Sequence, residues 1–188
     1  DDPAVHCALA VQGNLDAGNK AAAYTMLGVY SEAGSGENGE DAAAYRQKVE
    51  ACYRQALALA PRTPLAAFRL GRLLLYADST EALVWLDRAA SLRPNWAAVH
   101  AARVEAFLAL KRTDDAIRAL EAAALATPEK AAESLAQAGK IEEGRGRHAE
   151  ANRLYVRAAA ANPLDPRLCI DLGSSLLNAG QQEAGAAL

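Results

Sequence analysis

Apolar and polar residues alternate along residues 64–94 with the spacing of two amphipathic helices. The first helix carries Leu70-Gly71, the second carries Ala82 and Ala89, and a turn at residues 77–79 separates them. Apolar positions three or four residues apart place one stripe on each helix, so the two stripes can pack against each other. This stretch therefore predicts one helical hairpin, and its pattern recurs along most of the chain.

Prolines mark the ends of successive hairpins. Pro61, Pro94, Pro128 and Pro163 are 33, 34 and 35 residues apart. Helix starts follow them, as at Thr63-Pro64, where an N-cap residue precedes a proline at the first helical position. So regular a period is typical of a stack of helical hairpins. We expect about ten helices and no strand.

Composition supports an all-α chain. Hydrophobic residues make up 52% of the 188 residues but aromatic residues only 5%, because alanine supplies much of the apolar count. Alanine is the best helix former, and β-branched residues, which favour strands, are sparse. Small side chains also allow helix axes to approach closely.

The period divides the chain into a partial repeat or capping helix at residues 1–19 and a repeat array at residues 20–188. The first unit contains a loop, residues 31–40, rich in glycine and glutamate, which we expect to be exposed and mobile. The last unit stops inside its second helix. Both ends look like cuts in a longer array, or like edges that a partner or a second copy covers. The five units are residues 20–61, 62–94, 95–128, 129–163 and 164–188.

The repeats resemble the tetratricopeptide repeat, a unit of about 34 residues built from helix A and helix B. The Leu-Gly pair of helix A has matches at Leu27-Gly28, Leu70-Gly71 and Leu172-Gly173, and a weaker one at Ala138-Gly139. The third repeat departs from the pattern, with Arg103-Val104, and we expect its hairpin to pack less closely. The resemblance implies a right-handed α–α superhelix, or solenoid, of about five helix–turn–helix repeats. The helix B matches are Tyr53 and Ala56; Ala82, Leu86 and Ala89; Ala116, Leu120 and Ala123; and Ala151, Tyr155 and Ala158.

In the family, successive A helices line a concave groove that holds a partner. The resemblance, together with a stripe at residues 65–76 whose members are three or four residues apart, gives a set of candidate binding residues. Arginines beside an exposed phenylalanine and tyrosine are typical of surfaces that anchor partners. The alternative is that Phe68 and Tyr76 pack on the neighbouring helix. The candidates are Met26, Val29, Leu65, Phe68, Arg69, Arg72, Tyr76, Ala101, Glu105, Gln137 and Lys140.

The resemblance places Ala98, Ala101, Ala102 and Glu105 at the inward positions of the third repeat, so alanine lines most of this part of the groove. This leaves room for a bulky apolar segment. The Lys and Asn clamp that some family members use for chaperone tails is missing, since Phe68 and Arg72 hold those positions in the second repeat. We expect a ligand with an apolar face and one or two carboxylates.

Reactive residues do not form a recognisable site. The three histidines, His6, His100 and His148, share no ligand spacing, so we expect surface or packing roles. The cysteines form no CxxC pair, and they are either buried free thiols or include a Cys7–Cys52 disulfide. We expect Cys169 to be buried and reduced. No nucleophile motif, metal motif or phosphate loop is present in the sequence, so it predicts no enzyme, cofactor or metal.

The sequence thus predicts a non-catalytic scaffold or adaptor that holds a peptide or protein segment, in bacterial assembly, secretion or maturation. The net charge of −3 and the mixed charges exclude a basic nucleic-acid surface. No apolar run is long enough for membrane insertion. The alternatives are a module that self-associates through open repeat ends and a regulatory domain cut from a larger enzyme. Bacterial cytoplasm and periplasm both fit the sequence.

Overall fold

The computed structural model describes residues 11–13, 15–33 and 42–186, and this part of the chain consists of helices and turns without a strand. The expected all-α fold is confirmed. The helices are α1 (Ala17–Ala33), α2 (Ala42–Leu59), α3 (Pro64–Leu74), α4 (Ser79–Leu92), α5 (Ala97–Ala109), α6 (Thr113–Ala126), a 3₁₀ turn (Pro128–Lys130), α7 (Ala131–Gly144), α8 (His148–Ala161) and α9 (Pro166–Ala186).

The helices form two compact units, which meet in sequence between Pro94 and Asn95. In the first unit α1 packs on α2, and α3 packs on α4. In the second unit α5 packs on α6, α7 packs on α8, and α9 adds to α8. Each paired set is an antiparallel hairpin of the kind that the sequence period predicts.

Turn chemistry fixes where the helices begin. The Asp78 carboxylate caps α4 by accepting hydrogen bonds from the backbone N–H groups of Thr80 and Glu81, at 3.0 and 2.9 Å. Helix α3 begins at Pro64, as expected, but the Thr63 hydroxyl donates back to the Ala60 carbonyl at 2.9 Å and does not cap α3. It therefore stabilises the turn that ends α2.

Three hairpins are closed by a glycine on helix A that faces a large side chain on helix B. A Cβ on Gly28 would lie 2.6 Å from the Tyr53 ring, one on Gly71 2.7 Å from Leu86, and one on Gly139 2.7 Å from the Tyr155 ring. Such distances leave no room for a side chain, so glycine is required for this close approach. The weaker match at Gly139 packs as closely as Gly28 and Gly71.

The third hairpin solves the same packing problem differently. Val104 takes the glycine position and is only 1% exposed, while Leu120 replaces tyrosine on helix B. Both lie in one apolar cluster with Ala116 and Ala119, whose small side chains make room for the branched one. A valine here is compatible with a fully buried hairpin interface.

Helix α1 differs from its predicted bounds. It runs from Ala17 to Ala33, so residues 31–33 are helical and the prediction that they begin a loop is wrong. The reason is a tertiary contact, because the Glu32 carboxylate accepts hydrogen bonds from the Tyr53 hydroxyl and from Arg69, each at 2.8 Å. The rest of the predicted loop, residues 34–40, lies outside the described residues, as do residues 1–10 of the partial repeat predicted for residues 1–19.

Helix α9 also differs from the prediction. The pattern predicts a turn and a second helix within residues 164–188, whereas α9 continues unbroken from Pro166 to Ala186. Glutamine, glutamate and alanine after Gly180 are good helix formers, and a Cβ at Gly180 would meet nothing within 4 Å, so tertiary packing does not bend the backbone there. Cys169 on this helix is exposed, so the expectation of a buried thiol is wrong.

Candidate protein-interaction cleft

A cleft of about 250 Å³ opens in the second unit, where α5, α6 and α7 come together. We call it the alanine cleft. Its walls combine exposed alanines of α5, buried apolar residues of α6 and polar residues of α7. The residues that line it include Ala98, Ala101, Leu120, Ala123, Ser134 and Gln137.

Small residues create this space. Ala98 and Ala101 are exposed on α5, and they are three residues apart, so they lie on the same face of the helix. At the far side the Thr127 hydroxyl is buried and donates to the Ala123 carbonyl at 2.8 Å, which fixes the end of α6. The cleft is therefore shaped by rigid helical backbone and stays open because methyl groups cannot fill it.

The rim of the alanine cleft is polar. Lys130 and Glu133 form an ion pair of 3.1 Å, with 55% and 73% of their side chains exposed. A pair this exposed contributes only about 0–1 kcal/mol to stability, so a ligand can replace it at little cost. Gln137 lines the same cleft, and its amide carries both hydrogen-bond donors and an acceptor. An apolar floor with a polar rim is the usual anatomy of a surface that binds a peptide or protein.

The structure brings together two residues of the predicted set, Ala101 and Gln137, in this cleft. It also confirms that the third repeat leaves space beside Ala98. Glu105 and Lys140 are exposed but do not line the cleft, and Lys140 forms an ion pair of 3.1 Å with Asp171 of α9.

The predicted stripe of the second repeat is less open than expected. Phe68 is only 6% exposed, so the prediction of an exposed phenylalanine is wrong, and the packing alternative holds for this residue. The Arg72 guanidinium lies 5.9 Å from the centre of the Phe68 ring, which places a cation over the buried aromatic side chain. Tyr76 is 86% exposed, as expected, and Leu65 is half-buried.

The other candidates of the first unit vary in accessibility. Met26 is 38% exposed and Val29 is half-buried. Arg69 is held by Glu32 at 2.8 Å. A partner that used the Arg69 guanidinium would have to compete with this carboxylate, so Arg69 is mainly a structural residue.

Two glutamates that the sequence interpretation overlooked organise the hairpins with tyrosine. Glu32 accepts from Tyr53, and Glu143 accepts from Tyr155 at 2.9 Å. Each glutamate follows the hairpin glycine by four residues, one helical turn. Burial and the neighbouring carboxylate raise the pKa of both tyrosines. The sequence contained a signal for these pairs. A buried tyrosine hydroxyl needs a hydrogen-bond acceptor, and in both hairpins a glutamate lies one turn after the glycine that faces the tyrosine.

A charged link ties the third repeat to the fourth. Asp114 of α6 accepts hydrogen bonds from Arg145 at 2.6 Å and from Arg147 at 3.1 Å, in the turn between α7 and α8. These two guanidinium groups lower the pKa of Asp114. Arg147 also binds Glu142, whose side chain is 8% exposed, so a nearly buried carboxylate is neutralised by the same turn. These ion pairs give the four charged side chains of Asp114, Glu142, Arg145 and Arg147 a structural role.

The described residues contain no group of three or more histidine, cysteine, aspartate or glutamate residues placed to hold a metal ion. None of the helices in this part of the chain is long and apolar enough to cross a membrane. His100 is buried and His148 half-buried, whereas His6 lies outside the described residues.

Cys52 is a half-buried free thiol, and desolvation raises its pKa. Its proposed partner, Cys7, lies outside the described residues. The Cys7–Cys52 disulfide therefore stays a prediction.

The fold has known counterparts among solved structures. YrrB, a TPR protein with an unusual peptide-binding site, matches with a TM-score of 0.66 and 16% identity over 96% of this chain and 87% of YrrB. MamA from Desulfovibrio magneticus RS-1, residues 41 to the end, matches with a TM-score of 0.62 and 18% identity over 90% of this chain and 91% of MamA. PilF of Pseudomonas aeruginosa matches with a TM-score of 0.57 and 16% identity over 86% of this chain and 69% of PilF.

At these identities the likeness shows the fold alone. No protein-family model and no curated protein sequence matches the chain. The chain has the tetratricopeptide-repeat fold, as its motifs led us to expect.

Proposed function

We propose that the chain is a non-catalytic adaptor that holds a peptide or protein segment in the alanine cleft. The observation that carries the proposal is the cleft itself, a space of about 250 Å³ with an alanine floor and a polar rim between rigid helices. Its solved counterpart YrrB is described as having a peptide-binding site, which supports the same class of function.

The ligand that fits has a short aliphatic side chain at its centre. Methyl groups of Ala98 and Ala101 and the side chain of Leu120 would surround that side chain. Burying one aliphatic side chain contributes about 1.5–3 kcal/mol, so apolar contact supplies most of the affinity. Gln137 would hydrogen-bond the ligand backbone, and Lys130 would meet a ligand carboxylate at the rim.

The candidate residues of the first unit have a smaller role in this proposal. Phe68 is buried, so its truncation would act on stability before it acted on binding. Arg72 and Tyr76 are exposed and can add contacts to a longer partner. A bacterial role in assembly, secretion or maturation is part of the proposal, as is self-association through the repeat ends.

The test is affinity capture with matched variants. Ala101→Trp fills the alanine cleft, whereas Ala122→Trp places the same side chain on an exposed position of α6 that does not line it. We expect partners that the unmodified chain and Ala122→Trp both retain and that Ala101→Trp loses. Partners retained equally by all three proteins would contradict the cleft as the binding site. Sedimentation at rising concentration tests self-association separately.

A further inference from the structure

The outer face of α9 and the adjoining groove of α8 form a broad apolar surface. Ile170, Leu176 and Leu177 are 66%, 54% and 70% exposed, and Cys169 is exposed beside them. At about 100° per residue these side chains, with Leu172, Gly173 and Gly180, occupy one continuous band of roughly 160°. Between Cys169 and Gly180 this band carries no charged residue. We call it the α9 face.

A groove of about 540 Å³ extends this face onto α8. Val156, 54% exposed, forms its α8 side, and Leu172 and Leu176 form its α9 side. Arg153 and Arg157 lie at its edge, and none of the described residues that line it is a carboxylate. The surface is thus apolar at the centre and basic along one side.

The molecule itself shows what such a surface accommodates. Gly173 occupies the helix A position that Gly28, Gly71 and Gly139 hold in their hairpins. Those three glycines each touch a tyrosine or leucine of a helix B, whereas a Cβ at Gly173 would meet nothing within 4 Å among the described residues. Within the described residues, the α9 face is therefore a helix A surface that no helix B covers.

Charge adds a second constraint on the occupant. Successive B helices are joined by ion pairs, Arg54 of α2 with Glu81 of α4 at 2.9 Å and Arg157 of α8 with Glu121 of α6. Arg153 of α8 is 77% exposed, and its carboxylate neighbour Glu150, on the same helix, is 3.9 Å away. A helix seated in the groove with an acidic residue on its flank would pair with Arg153.

We propose that the α9 face docks one amphipathic helix of a partner protein, with an alanine-flanked leucine or tyrosine on its apolar stripe and an acidic flank. A second copy of the chain fits less well as the occupant. The matching stripes of α2, α4, α6 and α8 are consumed within their own hairpins, since Ala56, Ala82, Ala116 and Ala151 are each 0% exposed. This surface is separate from the alanine cleft, and its test does not depend on the proposed function.

The probe is a peptide of residues 79–92, the α4 sequence, which contains Glu81, Ala82, Leu86 and Ala89. A hydrocarbon staple replaces Val84 and Arg88, which are exposed and one turn apart, and holds it helical. Fluorescence anisotropy of the labelled peptide then measures binding to the whole 188-residue chain. We expect saturable binding, and a loss of about tenfold or more for a peptide with Leu86→Asp.

Variants of the chain decide the outcome. Gly173→Leu adds bulk where nothing lies within 4 Å, so the fold is retained while the docked helix is blocked. We expect Gly173→Leu and Leu177→Asp to weaken binding about tenfold or more. Leu164→Asp, at a 91% exposed residue before α9, and Ala101→Trp, in the alanine cleft, should leave it unchanged.

Absence of peptide binding, or equal binding to the unmodified chain and Gly173→Leu, would overturn the proposal. A dimer of the chain alone that Gly173→Leu abolishes would also overturn it, because a second copy would then be the occupant. Circular dichroism and melting of Gly173→Leu and Leu177→Asp confirm that both variants are folded. For the second variant, recovery of binding by Leu177→Met, which restores an apolar side chain, shows that the apolar surface is what matters.

Discussion

The fourth and second hairpins of this molecule close the same interface with different chemistry. In the fourth, Gly139 faces the Tyr155 ring, and the hydroxyl of that tyrosine donates to Glu143. In the second, Gly71 faces Leu86, and Leu75 stands where the glutamate would be, only 2% exposed. The residue one turn after the glycine therefore depends on the helix B residue: it is a glutamate where helix B carries tyrosine and a leucine where helix B carries leucine.

The difference shows that the aromatic residue and the acid form one unit. A tyrosine ring fills more space than leucine but brings a hydroxyl that needs an acceptor when buried. The first hairpin repeats the arrangement of the fourth, with Gly28, Tyr53 and Glu32. The third resembles the second, because Leu120 is matched by Leu108 four residues after Val104.

Among the variants that test this comparison, removal of the Tyr155 ring should reduce stability the most. Tyr155→Ala leaves a cavity at a position that is 0% exposed. We expect the free energy of unfolding to fall by about 3–5 kcal/mol, measured by urea denaturation. Tyr76→Ala, at an 86% exposed tyrosine, is the control and should change stability by about 0.5 kcal/mol or less. Equal effects would mean that the ring does not hold the hairpin.

Adding a methyl group to two equivalent glycines should act with opposite signs. Gly139→Ala places a Cβ 2.7 Å from the Tyr155 ring, and we expect destabilisation by about 1–3 kcal/mol. Gly173→Ala meets nothing within 4 Å and improves helix propensity, so it should stabilise by about 0.5–1 kcal/mol. Thermal melting of both variants checks this. A stabilising Gly139→Ala would contradict the close approach of helices A and B.

Removing only the hydroxyl should have a smaller effect. In Tyr155→Phe the Glu143 carboxylate loses its tyrosine donor and keeps the neutral Asn178 amide at 3.0 Å, so we expect a loss of about 0.5–1.5 kcal/mol. Tyr53→Phe should cost less, because Glu32 keeps its ion pair with Arg69 at 2.8 Å.

The tyrosine–glutamate pairing can also be exchanged for that of the second hairpin. In a double-mutant cycle, we measure the free energy of unfolding of both single variants and of the variant that combines Tyr155→Leu with Glu143→Leu. The double variant should lose less free energy than the sum of the two single losses. Strict additivity, measured by urea denaturation, would show that residues 143 and 155 are independent.

The smallest effect concerns the charged turn of the fourth repeat. The guanidinium groups of Arg145 and Arg147 lower the pKa of Asp114. A carboxyl with a lowered pKa in the folded state stabilises above its unfolded pKa of about 3.9, and this contribution is lost as pH falls through the folded value. Asp114→Asn should therefore lower the melting temperature slightly at pH 7, and the difference should vanish in acid. A difference that persists in acid would exclude this cause.

Much of the fold was predictable because each repeat carries the same hydrophobic spacing and the same helix-end residues, so the signal occurs several times in one chain. The prolines mark the period, and the helix B residues that match the family pattern, from Ala56 to Ala158, are buried. The extent of α1 was missed because Glu32 is fixed by residues 21 and 37 positions away, which no local pattern contains. The unbroken α9 was missed because the repeat pattern predicts a second helix in the last unit, whereas the backbone continues as one helix from Pro166 to Ala186.

The candidate site was predictable only in part, for a related reason. Small side chains leave space wherever they lie, so the opening beside Ala98 and Ala101 followed from the inward positions that the family resemblance gives these alanines. Whether a large side chain faces solvent depends on its neighbours, and Phe68 turned inward under Arg72 while Tyr76 stayed exposed. Helical spacing alone places Phe68 and Tyr76 on the same stripe, so it does not distinguish the buried side chain from the exposed one.

The central claim is that the alanine cleft holds a partner segment. Titration calorimetry of a segment from the captured partner, against the unmodified chain, Ala101→Trp and Ala122→Trp, tests it most directly. We predict that Ala101→Trp raises the dissociation constant about tenfold or more, equivalent to about 1.4 kcal/mol, and that Ala122→Trp leaves it unchanged. Equal dissociation constants for all three proteins would contradict the claim.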